Sequence, residues 1–139
     1  MKIEAGNYYF CKKEVIMSNG HTDYKKNKIY HSLLDEHITD ESDDEGHAWE
    51  EEDKPEEYFV EIPSYVGRMY DEYLLLDDKR VKLGVFINSE IYKTLPIEDQ
   101  EDMLVQFNLM VAYAITLGRR LKRSLKNEGL ELDLIVGEI

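Results

Sequence analysis

The sequence predicts an α+β protein, with a small bent antiparallel sheet or open β-barrel followed by a long helical hairpin and a terminal strand. Two observations carry that prediction. Through residue 62 the chain runs in short stretches rich in Tyr, Phe, Val, Ile and Thr, parted by turn clusters; beyond Pro63 the apolar period changes from two to three and four. Charge divides at the same place, because residues 1–62 hold 17 acids and 7 bases whereas residues 63–139 hold 13 and 10. The expected organisation is an acidic β module over 1–62 and a helical, oligomer-forming module over 63–139.

In the first module, residues 7–17 read as a strand with a bulge near Lys13. Ser18-Asn19-Gly20 follows, and Asn-Gly supplies the positive φ angles that a tight hairpin turn needs. Residues 28–34, 37–40, 47–49 and 58–62 read as further strands, with turns at Asp35-Glu36 and over 41–46. Between residues 35 and 57 there are 13 acids and one base, Lys54. Such a density of charge cannot be buried, since each unpaired buried charge costs several kcal/mol or more. It predicts a solvated acidic face.

In the second module, Val66, Met69, Tyr73, Leu76, Leu83 and Phe86 or Ile87 recur at helical spacing and predict a helix over 64–87, with Arg80 and Gly84 weakening its later part. A turn over 88–95 leads to Pro96, which suits the first turn of a second helix. That helix is expected over 97–126. Glu98, Asp99, Glu101 and Asp102 crowd its start, Arg119, Arg120, Lys122, Arg123 and Lys126 crowd its end, and Gly129 can close it. Thirty helical residues extend about 45 Å. The middle of this helix is apolar on most sides: Leu104, Val111 and Ala114 mark one face, Met103, Met110 and Leu117 widen it, and Val105 and Leu109 lie roughly opposite. A single hairpin partner leaves much of that surface wet, so Met103, Val105, Leu109, Met110 and Leu117 are the expected interface of a homodimer or higher oligomer. The tail over 130–139 alternates Leu130, Leu132, Leu134 and Val136 and reads as a terminal strand.

Composition narrows the function. A formal net charge of −13 argues against direct binding to a nucleic-acid backbone or an anionic membrane. Cys11 is the single cysteine, which excludes an intrachain disulfide; with no signal peptide, it leads us to expect a cytoplasmic protein. The longest uncharged run, 103–118, contains Gln106, Asn108 and Thr116 and is too short and polar to span a bilayer. His21, His31, His37 and His47 match no compact ligand spacing, so no metal and no cofactor are expected. Cys11 sits mid-strand among apolar residues and reads as core. No phosphate loop, nucleophile elbow or His–carboxylate signature is present, and an enzyme is not expected.

Two features remain as candidate sites. One is an acidic partner-binding face made by Asp43, Asp44, Glu45, Glu50, Glu51, Glu52 and Asp53, with Trp49 as an aromatic anchor, which could occupy a basic groove. The other is Arg119, Arg120 and Arg123 as an anion- or nucleotide-binding cluster, because Arg119 and Arg123 share one helix face and guanidinium groups hold phosphate bidentately. Plain helix capping is the simpler account of the same arginines.

Tyr8-Tyr9-Phe10-Cys11, residues 24–30, Ile38-Thr39-Asp40 and His47-Ala48-Trp49 resemble a small β-barrel module of bacteriophage and prophage proteins, with Asn27 where that module has glycine. Residues 86–90, Leu95, Gln106, Met110, Tyr113, Leu117 and Arg120 are similar to a helical family of unknown function from crAss-like gut phages. The resemblance implies a phage accessory protein and transfers no catalytic residue. What it implies first is an anti-defence inhibitor whose acidic face occludes a basic host effector such as a CRISPR nuclease. The alternatives are an oligomeric sponge for a nucleotide second messenger (a cyclic oligonucleotide or ADP-ribose derivative) and a structural or regulatory phage protein.

Overall fold

The computed structural model describes residues 1–42 and 45–134. Seven short strands precede two long helices: β1 (Tyr8–Cys11), β2 (Val15–Ile16), β3 (Thr22–Tyr24), β4 (Ile29–His31), β5 (His37–Ile38), β6 (His47–Ala48), β7 (Phe59–Ile62), α1 (Ser64–Ile87) and α2 (Ile97–Lys126). This is the α+β class the sequence predicts. Among the described residues the strands form three small antiparallel sheets, β4-β1-β7, β2-β3 and β5-β6, and no closed barrel. Two compact units result, one of Met1–Arg68 with Ser124–Asp133 and one built on Met69–Arg123.

In the first unit β1 is the central strand, with Tyr8 opposite both His31 and Ile62. All four of its residues are buried, which explains why Tyr8-Tyr9-Phe10-Cys11 is apolar without alternation. The single strand expected over 7–17 divides into β1 and β2, because Lys12 to Glu14 leave the ladder; Cys11 Sγ reaches the Lys13 carbonyl at 3.1 Å. The Asn-Gly hairpin forms as expected: Gly20 takes φ +87°, and Met17 N–H donates to the His21 carbonyl at 2.8 Å. Ile3, Tyr9, Cys11, Tyr24, Tyr30, Ile38, Trp49 and Phe59 make the core. Tyr24 packs edge-on to Tyr30, Trp49 and Phe59 with ring centroids 5.1–5.8 Å apart, a favourable aromatic geometry.

Pro63 supplies the first carbonyls of α1, accepting from Val66 and Gly67 N–H at 3.0 and 3.2 Å. Gly67 has no room for a side chain, because a Cβ there would overlap the Tyr8 ring. In the second unit the helices run antiparallel. Phe107 of α2 lies against Gly84 of α1 and the Tyr113 hydroxyl donates to Glu72, so contacts later in one helix meet positions earlier in the other. Tyr92, in the turn between them, donates its hydroxyl to the Gln100 carbonyl at 2.8 Å and is buried. Helix α2 ends as its glycine suggests. Gly129 takes φ +76°, Gly129 N–H donates to Lys126 and Leu130 N–H to Leu125, at 2.9 Å each, the paired bonds of a Schellman motif. The expected terminal strand does not form over 130–134, where the backbone is irregular and only Asp133 N–H reaches the Asn27 carbonyl, at 2.8 Å. Its remainder, including Val136, lies outside the described residues.

Candidate functional site

Helix α2 carries its charge at two ends and apolar side chains between. Glu98, Glu101 and Asp102 are exposed near its start; Arg119, Arg120, Lys122, Arg123 and Lys126 are exposed near its end. Because four helical residues make about one turn, Arg119 and Arg123 stack on one face with Arg120 and Lys126 beside them. No ion pair within the described residues engages any of the three arginines. Each exposed guanidinium group at the helix end is of a type able to give two parallel hydrogen bonds to a phosphate or carboxylate. Placement at the helix C-terminus also steadies the helix itself.

The hairpin that bears this cluster is thinly covered. From residue 74 to residue 113 Tyr92 alone is buried among the described residues. Two packed helices cannot enclose a core between them, so side chains on their outer faces stay wet. Val105 and Leu109 are 58% and 65% exposed, and Leu74, Val81, Val85, Ile97 and Leu104 are also exposed. Of the five expected interface residues, Val105 and Leu109 are open, and Met103 and Met110 are partly covered by the chain's own packing. Leu117 is corrected. It is 1% exposed and therefore a core residue of the chain, on the buried face shared with Ala114 and Leu121, with nothing to offer a second copy.

The acidic face divides differently from expectation. Glu45, Glu50, Glu51, Glu52 and Asp53 are exposed, the last three in a 3-10 turn (Glu51–Asp53), while Asp43 and Asp44 lie outside the described residues. A hydrogen bond and repulsion from the Glu52 carboxylate push the Glu50 carboxyl above its usual range. Trp49 is corrected from surface anchor to core: it is buried, packs edge-on to Phe59 at 5.1 Å, and points its indole N–H at the Tyr24 hydroxyl, 3.5 Å away. Other acids of this stretch are engaged by the fold. Glu41 pairs with Lys25 at 3.1 Å and Lys28 at 3.7 Å, and Asp40 is buried.

One arrangement was not legible in the linear spacing. Asp23 on β3, Asp40 after β5 and His47 on β6 converge, with one ligand atom from each lying within 4.8 Å of the others. His21 joins them at the edge, its Nδ1 2.6 Å from Asp23 Oδ1. Hydrogen bonds from both histidines hold the Asp23 carboxyl below its usual range. Linear spacing gave no sign of this convergence, because antiparallel pairing joins residues whose separation in sequence follows no motif. His31 instead stacks on Tyr8, with centroids 4.0 Å apart.

The chain thus combines an antiparallel helix pair with a cationic end and a small acidic β unit. Residues 63–123 match a family model described as Sequestin. That span covers α1 and most of α2, includes Arg119, Arg120 and Arg123, and excludes the acidic stretch. No curated protein and no solved structure matches the chain at a significant level. No helix among the described residues is long and apolar enough to cross a membrane.

Proposed function

We propose that this chain is a non-catalytic sequestering protein, cytoplasmic and self-associating, that withholds a phosphate-bearing nucleotide second messenger by gripping it with Arg119, Arg120 and Arg123. The observation that carries this reading is where the family match falls. It covers the helical pair up to Arg123, and the family's printed name speaks of sequestration. Three exposed arginines at that end, with no ion pair among the described residues, supply the chemistry a phosphate requires. Occlusion of a basic effector by the acidic face is less well supported, because the match excludes that face and its aromatic anchor, Trp49, is in the core.

Calorimetric titration of cyclic di- and trinucleotides and ADP-ribose derivatives tests the proposal. Micromolar or tighter binding is expected for at least one compound, weakened at least tenfold in Arg119→Gln/Arg123→Gln. The fold should persist in that variant, since helix-end charges contribute a few tenths to about 1 kcal/mol each. No heat across the panel, or unchanged affinity in the variant, overturns it.

A second use of the same arginines is favoured by the order of groups along α2. Exposed Glu98, Glu101 and Asp102, then Val105 and Leu109, then Arg119, Arg120 and Arg123 follow one another on the outward side of the helix. Two copies laid antiparallel about a two-fold axis would set acidic ends against basic ends across an apolar centre. On this second reading, Arg119→Gln/Arg123→Gln loses self-association at low salt; on the first it loses ligand and keeps its oligomeric state.

A further inference from the structure

We propose that Asp23, Asp40 and His47 form a site for one divalent transition-metal ion of the zinc class, with His21 bracing Asp23 from outside. The fold builds the site from three separate segments. Glu41 N–H donates to the Asp23 carbonyl at 3.0 Å, which straps the segment bearing Asp40 against β3. The Tyr24 hydroxyl donates to the Ile38 carbonyl and accepts His47 N–H at 3.2 Å, which ties β3, β5 and β6 at one point. Gly46 takes φ +77°, and a Cβ there would overlap the Ile38 carbonyl. Only glycine lets the backbone come so close and deliver His47 over the two aspartates.

Charge argues for a cation. The Asp23 and Asp40 side chains are 10% and 7% exposed. Two carboxylates removed from water need compensation; the nearby lysines, Lys25 and Lys28, are paired with Glu41, and His21 and His47 beside the aspartates carry charge only when protonated. Asp40 Oδ1 accepts Ser42 N–H at 2.8 Å, but its Oδ2 faces His47 Nε2 at 3.6 Å, outside hydrogen-bond distance. That oxygen points into the cluster and offers its lone pairs to a centre between the three residues. Asp23 is held from both sides, by His47 on Oδ2 and by His21 on Oδ1.

The donor set selects the class of ion. One imidazole and two carboxylates suit zinc or manganese, whereas thiolate-seeking copper(I) finds no sulfur and calcium gains nothing from an imidazole. Ligands about 2.1 Å from such an ion stand roughly 3.0–3.5 Å apart. A bound ion would require small rotations that part His47 from Asp23 and draw in Asp40. His47 is 39% exposed, so the outer side stays open to water as the remaining ligand.

The full chain, stripped with a chelator and dialysed, is titrated with zinc chloride and separately with manganese chloride, and the bound metal is counted by elemental analysis. One equivalent of zinc, a higher melting temperature and selective movement of the His47 ring nitrogens in histidine NMR spectra are expected. Asp40→Asn and His47→Gln should each weaken binding at least tenfold, while His37→Gln, outside the cluster, keeps it. The ring-nitrogen signals come from the unmutated protein, so the test survives a variant that fails to fold. Absence of bound metal, or zinc that moves His31 and His37 as much as His47, overturns the proposal and leaves a His–Asp hydrogen-bond network.

Discussion

Cys11 shows how position sets the chemistry of a single residue. It is fully buried on the central strand, and burial pushes its thiol from the usual value near 9 to about 11. The thiolate is the nucleophile, so at pH 8 a rise of two units leaves about 100-fold less of it. Native protein at pH 8 should therefore react with iodoacetamide about 100-fold more slowly than protein in denaturant; equal rates would show that the thiol is accessible and ordinary. The sign of the linkage follows. The folded value lies above the unfolded one, so this contribution to stability is complete below pH 9 and is lost as pH rises through 11. The sequence marks Cys11 as core because its neighbours are apolar. It could not mark Trp49 the same way, since acids follow it directly, yet its ring turns inward to Tyr24 and Phe59 while Glu50 to Asp53 turn out.

At the scale of elements, the helices were the most legible part of the chain. Period, Pro96, Gly129 and opposed charge clusters all act locally, and local rules set helix ends. Most strand positions were also readable, but β3 (Thr22–Tyr24) was not among them, and which strand pairs with which is decided by contacts distant in sequence, so the Asp23–Asp40–His47 convergence was hidden. Over 130–134 the alternating tail forms no strand, and Asp133 N–H bonds to the Asn27 carbonyl. Helix α2 is also where self-association is testable. Val105 and Leu109 are exposed in the isolated chain, so Leu109→Asp should leave the monomer fold intact and break only an intermolecular surface. Light scattering should find at least a dimer for the wild type at tens of micromolar, roughly where a modest interface still holds, and a monomer of unchanged helicity for the variant. A wild type that is strictly monomeric there contradicts the expectation.

At the scale of the whole molecule, the acidic balance and the cationic helix end serve different purposes. A net charge of −13 gives the chain as a whole a negative field. On the proposed function, the arginines are a local exception that takes a small anion. A sequestering protein must bind without transforming, which separates it from an enzyme more cleanly than affinity does. The most direct measurement is recovery of the ligand. The compound that binds in the titration panel is incubated with excess protein, the free fraction is filtered off, and the complex is then heat-denatured and analysed by mass spectrometry. The account predicts that free ligand falls to the level set by binding and stays there, and that denaturation returns it chemically unchanged and in full. Continued decline of total ligand with the appearance of a product, or no depletion at all, would contradict it.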